Sequence, residues 1–428
     1  MNFRKSTFFS YSFLAIISCF HLTAFAQSNN KKLEFIDKIY EEHIKTAYLF
    51  QGENAQAAPL APATIALSQQ VPLTLKFDEL YTDNADYYKA RILHCNMNWQ
   101  QSHVSEMQYL FEFNEFSIDE FDFSIATKTP YTHFTFVVPS VKLPGNYLLV
   151  VYREGNKDDV IITKRFVVFD PKVEVLADIA RSAGVVERQM NQQIQFAIDY
   201  STFPISNPYL DVKVIIKQNQ RWDNAIYNLA PTSIKEDVSI MEYRHFNLEN
   251  NFKAGNEFRF FDIRTIHYGG RNVDKTNISE TRIDAYLYYD KSRGTEPYTY
   301  TDDLNGAYLI ANSEGRNNLL EADYVTVHFL LDMASKHAED IYISGKLTNW
   351  SFDESNRMKF VDVSGLYTGQ LLLKQGLYDY SYYMPANKEN PNLPEGNHFE
   401  TNNEYEILVY YNDHKINADL VIGYLRLN

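Results

Sequence analysis

The sequence predicts an all-β protein in which three β-sandwich domains follow one another along the chain. Its 428 residues include 32 Tyr and 29 Phe but only 16 Gly and 14 Pro, a balance that suits strands rather than disorder or long helices. Short runs of alternating apolar and polar residues recur, and polar turns separate them. No segment has a convincing helical period, although 173–190 comes closest. A chain of this length has room for several hydrophobic cores.

Residues 1–26 are predicted to be a secretory signal peptide. Arg4 and Lys5 precede a mostly apolar run, and an Ala-Phe-Ala motif ends the segment at a site typical of signal cleavage. A competing interpretation is a lipobox that ends at Cys19, which would leave that cysteine lipidated. Cleavage after residue 26 would leave Cys95 as the only cysteine, predicted to be a buried structural thiol. No disulfide would then form within the chain, so its stability would depend on its cores.

The chain is strongly acidic. Its formal net charge is −15, which becomes −17 once a signal peptide with two basic and no acidic residues is removed. An acidic surface repels nucleic acid and anionic lipid headgroups, so we expect neither as a partner. Beyond the predicted signal peptide, no apolar stretch is long enough to span a bilayer as a helix. Protein partners are compatible with this charge.

The first predicted domain covers residues 27–170. It begins with a short stretch at 33–50 whose secondary structure the sequence leaves open, followed by an Ala/Pro-rich loop at 51–67. Strands then follow, and a Pro-Gly turn separates two of them. These strands are predicted at 87–95, 133–139, 146–154 and 164–170. Short strands at this spacing fit a β-sandwich.

The second domain is predicted at 171–315 and the third at 316–428. Polar turns such as 203–208 and 267–272 separate the runs of alternating residues in the second range. The strands of these two domains are predicted at 193–200, 211–222, 256–266, 283–290, 324–331, 340–347, 367–374, 378–384 and 404–411.

No motif in the sequence points to catalysis, a cofactor or a metal. The sequence lacks a Gly-rich phosphate loop, a histidine pair at helical spacing and a nucleophile elbow. The loop 301–308 has the spacing of a calcium loop, but Thr301 and Asn312 stand where an EF-hand needs Asp and Glu. We therefore predict that the protein is not an enzyme, and we predict no catalytic, cofactor-binding or metal-binding residue.

The segment 112–124 combines acidic and aromatic side chains. Its acidic residues alternate with phenylalanines, and they are Glu112, Glu115, Asp119, Glu120 and Asp122. Paired carboxylates serve glycosidases, but acids interleaved this evenly with Phe favour the wet side of a loop or strand.

The stretch 341–384 resembles the sugar-binding modules of starch enzymes, in which a turn with Gly and Trp precedes strands that end in aromatics. The resemblance implies an immunoglobulin-like, early-set-like sandwich. As an alternative function, Trp350 would be a stacking platform for a sugar, with Lys346 and Asn349 as flanking hydrogen-bonding groups. However, a single Trp is a small platform, and the alternating Tyr row at 378–382 is typical of a core face.

Several segments, in the same order, resemble the type IX secretion system plug proteins. In the first domain they are IKTAYLF, PLTLKFDEL, DYYKARILHCNMNW, YTHFTFVVPS, LPGNYLLVVY and KRFVVFD. Later segments are IIKQNQRWDNAI, AGNEFRFFDIR, TDDLNGAYLI, LLEADYVTVHFLL and TNNEYEILVYY. The resemblance therefore covers nearly the whole chain after the predicted signal peptide, and it is most specific in the first domain.

This resemblance implies a periplasmic protein on the inner side of the outer membrane. Its expected partner is the outer-membrane translocon barrel, whose periplasmic opening the plug is thought to close when no cargo is engaged. The family implies no catalytic residue. Neither a nucleic acid, nor a membrane span, nor a small-molecule substrate is expected.

Overall fold

The computed structural model describes residues 31–52, 60–69, 71–80, 86–315, 317 and 319–428. Strands dominate this part of the chain, which confirms the all-β prediction. The helical elements that lie wholly within the described residues are single turns, namely α1 (Glu106–Tyr109), α2 (Pro208–Asp211) and 3-10 turns at Glu187–Gln189 and Lys346–Thr348. None of the described helices is long and apolar enough to cross a membrane. The predicted signal peptide and Cys19 lie outside the described residues.

Ten strands form the first part of the chain. They are β1 (Lys38–Ile39), β2 (Ile44–Gln51), β3 (Thr64–Ala66), β4 (Leu73–Leu80), β5 (Tyr88–Cys95), β6 (Phe116–Ile118), β7 (Glu120–Phe123), β8 (Tyr131–Val137), β9 (Gly145–Arg153) and β10 (Val160–Phe169).

The remaining strands lie in three stretches. The first holds β11 (Glu174–Arg181), β12 (Asn191–Asp199), β13 (Val212–Gln218), β14 (Ile226–Tyr227), β15 (Ser233–Lys235), β16 (Ile240–Tyr243) and β17 (Asn251–Lys253). The second holds β18 (Arg259–Asp262), β19 (Val273–Ile278), β20 (Ile283–Leu287), β21 (Asp290–Lys291), β22 (Tyr308–Ile310), β23 (Tyr324–Asp332), β24 (Tyr342–Ser344), β25 (Lys359–Val361), β26 (Leu366–Lys374) and β27 (Gly376–Tyr383). The third holds β28 (Tyr405–Asp413) and β29 (Ala418–Leu427).

Two sheets built from β1–β10 face each other, and we call them the first sheet pair. One has the order β1-β10-β9-β5-β6, with β3 added parallel to β10, and the other has the order β2-β4-β8-β7. Strand β9 reads as a continuous apolar run because both of its faces are covered. Tyr147, Leu149 and Val151 enter the core between the two sheets, whereas Leu148 and Val150 pack on the opposite side.

The second and third sheet pairs interleave along the chain. The second pair combines β11-β12-β16-β15, with β17 on β12, and β14-β13-β28-β29. The third pair combines β18-β27-β22, with β24 on β27, and β19-β20-β23-β26-β25, with β21 on β23. Each of the three large hydrophobic clusters is built mainly from the two sheets of one pair, and the cluster of the third pair also includes Tyr48 and Phe50 of β2.

The pairing of strands groups the chain differently from the predicted ranges 171–315 and 316–428. Strand β13 takes β28 as its neighbour, with Val214 opposite Val409, and β18 takes β27, with Phe261 opposite Tyr378. The C-terminal hairpin thus completes the second pair, while β18 to β27 form the third between its two halves. Local alternation marks each strand but does not show which distant strand completes its sheet. The number of independent domains stays a prediction.

Candidate functional site at the junction between the sheet pairs

The residues of the sugar-binding alternative lie on the turn that follows β24 in the third sheet pair. After Gly345, the chain makes the 3-10 turn Lys346–Thr348, and Asn349 and Trp350 both adopt left-handed backbone angles, with φ of 51° and 56°. This turn brings Lys346, Asn349 and Trp350 together along one cavity of about 90 Å³. Ligand pockets usually measure about 300–1,000 Å³, so the space beside Trp350 is small for a sugar. Lys346 and Asn349 also line a neighbouring cavity of about 520 Å³, which Trp350 does not line.

Each of these three side chains is engaged with another part of the chain. The Lys346 Nζ donates to Gln220 Oε1 at 3.1 Å, and the Asn349 Oδ1 accepts from Lys164 Nζ at 2.7 Å. Burial and the nearby charge of Lys164 lower the pKa of Lys346 to about 8. Because Gln220 follows β13 and Lys164 lies on β10, the turn connects the third sheet pair to the other two.

Trp350 is half-buried in the same junction. The Arg221 guanidinium lies 4.7 Å from the centre of its ring, and Phe258 packs against it edge-on at 6.0 Å. A Cβ at Gly306 would come within 2.5 Å of the Trp350 ring, so this glycine allows the close approach. The Arg221 guanidinium therefore covers one face of the ring on which a sugar would stack. Sugar binding at Trp350 stays a prediction.

A group of four polar residues, the Asp78 cluster, connects the first and third sheet pairs. The Oδ1 of Asp78 on β4 accepts a hydrogen bond from His133 Nδ1 on β8 at 2.6 Å. Its Oδ2 accepts from Lys374 Nζ on β26 and from the Tyr324 hydroxyl on β23, each at 2.6 Å. Three of the four side chains, those of Asp78, Tyr324 and Lys374, are about 1% exposed or less, and His133 is also buried.

The negative charge of the Asp78 carboxylate would strongly destabilise the fold if it were buried without partners. Burial by itself would raise the pKa of Asp78, but Lys374 and His133 outweigh this effect and hold that pKa below its ordinary value. The Lys374 Nζ also lies 4.0 Å from the centre of the Tyr131 ring. Losing one partner would leave the other buried and uncompensated, so the cluster resists separation of the two sheet pairs.

Aromatic and cation–π contacts also connect the first and second sheet pairs. Trp99 and Trp222 pack edge-to-face at 4.8 Å, and the Arg165 guanidinium lies 4.5 Å from the Trp99 ring. Behind Trp222, the Lys217 Nζ of β13 donates to Glu406 Oε2 of β28 at 2.7 Å, and this buried ion pair lies within the second sheet pair. All three sheet pairs are therefore joined by buried contacts, and residues 31–428 form one compact unit.

Neither Asp78 nor Lys374 was predicted from the sequence to be a functional residue. A weak signal was present, because Asp78 alternates with apolar residues in LTLKFDEL and Lys374 directly follows three leucines in YTGQLLLK. Such residues indicate either a solvated strand face or a buried pair, and a single strand cannot distinguish the two. The decision depends on which sheet covers that face.

Other candidate residues from the sequence are buried, hydrogen-bonded or packed in a core. Cys95 is buried, as predicted, and burial raises the pKa of its thiol to about 12. In the loop 301–308, the Asp303 carboxylate accepts hydrogen bonds from the backbone amides of Phe258 and Asn305. Tyr378, Tyr380 and Tyr382 all lie in the third core, which confirms the predicted core face. Among the described residues, no group of three acidic, His or Cys side chains is arranged to hold a metal ion.

Comparison with known proteins places this fold in a family. The family model described as "Type 9 secretion system plug protein 1st domain" matches residues 44–170, which span β2 to β10. The crystal structure of a hypothetical protein from Parabacteroides merdae ATCC 43184 is 30% identical in sequence, with a TM-score of 0.86 over 92% of this chain and 100% of that chain. None of the curated proteins matches this chain. The first sheet pair of this chain, over residues 44–170, therefore belongs to the family of type 9 secretion system plug protein 1st domains.

Proposed function

We propose that this chain binds the periplasmic opening of the outer-membrane translocon barrel and plugs it when no cargo is engaged. Membership of the plug family supports a role in type IX secretion, as a non-catalytic component of the periplasm. The proposal goes further, because it names the barrel as the partner, closure as the activity and the inner side of the outer membrane as the location. A lipid anchor at Cys19 is the alternative to free export after residue 26.

The observation that supports this proposal most directly is the buried junction between the sheet pairs. A plug must cover an aqueous opening without being drawn through it. The Asp78 cluster and the Trp99–Trp222 contact make three sheet pairs behave as one body rather than as a flexible chain of domains. A compact chain of about 400 residues has a radius of gyration of about 21 Å, and hence a width of roughly 55 Å.

Plugging requires bulk and a reversible interface rather than a reaction. A permanent seal would block secretion, so we expect an interface of moderate area with a polar rim. The acidic chain provides polar surface, and the exposed carboxylates can be separated from a partner without leaving buried charge behind. No second function is proposed, because the Trp350 ring that the sugar alternative needs is already in contact with Arg221.

Deleting the gene tests the proposal. With the barrel still present in the outer membrane, cells that lack this protein should become permeable to large antibiotics, and the wild-type gene should restore the barrier. The barrel purified from cells without cargo export should carry this protein at near-stoichiometric amount. Unchanged permeability together with the absence of co-purification would contradict plugging.

A further inference from the structure

The segment 107–125, which contains the end strands β6 and β7 of the first sheet pair, exposes several large apolar side chains, and we call it the aromatic edge. Six of its side chains are between 40% and 85% exposed, and they are Met107, Phe111, Phe113, Phe121, Phe123 and Ile125. Scattered exposed apolar residues need no explanation, but a cluster of this kind typically marks a surface that another molecule covers.

The aromatic edge coincides with unpaired sheet edges. Strand β6 is the last strand of one sheet and β7 is the last strand of the other, and the chain passes directly from one to the other at Asp119. In the described part of the chain, β7 pairs with β8 alone, and all four of its residues are exposed. Its outer backbone groups are thus placed to accept an added strand.

The two faces of β7 differ in chemistry. Phe121 and Phe123 continue the core face, since Phe121 lies opposite Phe134 with ring centres 5.8 Å apart. Glu120 and Asp122 point to the other face, because successive side chains of a strand alternate. A strand added beside β7 would therefore meet phenyl rings on one face and carboxylates on the other.

The neighbouring loop presents its rings on a fixed backbone. The buried side chain of Asn114 accepts from the Ile92 amide at 2.8 Å and donates to the Ile92 carbonyl, also at 2.8 Å. These two bonds attach the loop to β5 and leave Phe113 pointing into solvent. A preformed surface of this kind loses little conformational entropy on binding.

The charge of the aromatic edge indicates which kind of molecule binds there. Glu115 is paired with Lys89 and Lys157, at 2.8 and 3.0 Å. Four other carboxylates form no salt bridge with any described residue, and they are Glu112, Asp119, Glu120 and Asp122. The cations at this edge are Lys142 and Lys157, which lie 5.1 and 5.8 Å from the centres of the Phe111 and Phe113 rings, away from β7. A second copy of this chain would bring like charges together across the new strand pair, which is destabilising. A positively charged partner segment would instead match the edge.

We propose that the aromatic edge binds a basic, extended segment of a partner protein, which adds as a strand beside β7 with apolar residues on the phenyl face and Lys or Arg on the carboxylate face. This inference rests on the proposed function in one respect only. It identifies the edge as the surface by which the chain holds the periplasmic side of the barrel.

A synthetic peptide tests the chemistry without the barrel. The purified full chain should bind the alternating peptide KVKVKVK saturably, and more than tenfold more tightly than the block peptide KKKKVVV of the same composition. Binding should slow hydrogen exchange of those amides in 120–123 that point away from β8, since the added strand accepts hydrogen bonds from them. Raising the salt from about 0.1 M to about 1 M shortens the Debye length from roughly 10 Å to roughly 3 Å and should weaken binding.

A charge-reversal variant and a matched control locate the site. The edge variant carries Glu112→Lys, Asp119→Lys, Glu120→Lys and Asp122→Lys. The control changes four exposed carboxylates elsewhere, as Asp274→Lys, Glu280→Lys, Asp362→Lys and Glu389→Lys. Peptide affinity should fall more than tenfold in the edge variant and less than twofold in the control. If the edge variant does not fold, Phe123→Ala tests the site instead, because it keeps every carboxylate. The affinity of this variant for the KVKVKVK peptide should also fall.

Three results would overturn the inference. They are absence of saturable peptide binding, equal loss in the edge and control variants, and a wild-type dimer that the edge variant abolishes. In cells, the edge variant should fail to co-purify with the barrel. If deletion of the gene leaves permeability unchanged while the peptide still binds at the edge, the proposed function fails and the binding chemistry stands. If wild type and edge variant both co-purify, plugging stands and the edge is not its docking surface.

Discussion

Asp78 and Asp122 lie on the same face of one sheet and differ completely in surroundings. Both stand opposite His133 on β8, Asp78 from β4 on one side and Asp122 from β7 on the other. Asp78 is covered by the third sheet pair and bonded to Lys374 and Tyr324, whereas Asp122 is exposed at the end of the sheet. Residue type and strand position are therefore shared, and burial alone separates them.

The difference separates a structural role from a binding role. A buried carboxylate stabilises only while its partners are present, so the Asp78 cluster holds the two sheet pairs in one arrangement. An exposed carboxylate beside an unpaired strand edge has its partners in water, and it can exchange them for those of another protein. We expect substitutions at the cluster to change stability, and substitutions at the aromatic edge to change binding.

The largest effect is expected from Lys374→Met, which removes the cation and leaves Asp78 buried. Breaking one side of a buried ion pair costs about 3–5 kcal/mol, and urea unfolding should show a loss of this size. The double variant Asp78→Asn/Lys374→Met removes both charges and should recover most of the loss. Peptide binding at the aromatic edge should stay unchanged in both variants. A loss below about 1 kcal/mol in the single variant would show that the cluster does not hold the sheet pairs together.

Acid should weaken the protein at the buried Glu395, whose carboxylate accepts hydrogen bonds from Arg259 Nε at 3.0 Å and Arg293 Nη2 at 2.7 Å. Burial opposes ionisation of Glu395, but Arg259 and Arg293 lower the pKa of this carboxyl to about 2. An unfolded Glu titrates near pH 4.3, so the stabilisation is complete above that pH and is lost as pH falls toward 2. The difference corresponds to about 3 kcal/mol. The free energy of unfolding, measured between pH 5 and pH 2, should fall less steeply for Glu395→Gln than for wild type. Equal slopes for the two proteins would contradict this role of Glu395.

A smaller loss of stability is expected from Trp350→Ala. Replacing a fully buried Trp costs about 3–5 kcal/mol, and a half-buried one should cost roughly 2 kcal/mol. The variant removes the contacts with Arg221 and Phe258, so thermal unfolding should shift downward. Titration of wild type with α-glucans should give no saturable binding. Saturable binding that Trp350→Ala abolishes would establish the carbohydrate alternative instead.

The smallest effect on stability is expected at the aromatic edge itself. Phe113 is 75% exposed, and exposed substitutions usually change stability by less than about 0.5 kcal/mol. Phe113→Ala should therefore unfold at nearly the same urea concentration as wild type while binding the KVKVKVK peptide less tightly. A large loss of stability would show that the ring is part of the core, and the contrast between the two regions would disappear.

Much of the local structure was predictable, and the connections between distant strands were not. Alternation in YYKARILHC and DVKVIIKQNQRW predicted β5 and β13, and the continuous run NYLLVV predicted β9. The predicted boundary near residue 171 lies between β10 and β11, whereas the ranges after it cut across the second and third sheet pairs. A strand's own residues show its buried face but not its partner strand.

The residues of the candidate site show the same limit of prediction from sequence. Trp350, Lys346 and Asn349 were chosen as neighbours in a turn, and they do come together, but they face residues of the other sheet pairs. Asp78 and Lys374 are 296 residues apart. Neither position carries a local motif that would connect them.

By itself, the sequence determined the β class, most strand positions, the acidic surface and the family resemblance, because each depends on composition or on order along the chain. The tertiary structure decided which charges are buried and paired, which phenylalanines lie at an uncovered edge, and how β28 and β29 return to complete the second sheet pair. Those outcomes depend on contacts between residues far apart in sequence. Burial, which sets whether a carboxylate such as Asp78 or Asp122 stabilises the fold or faces a partner, is a property of the assembled sheets.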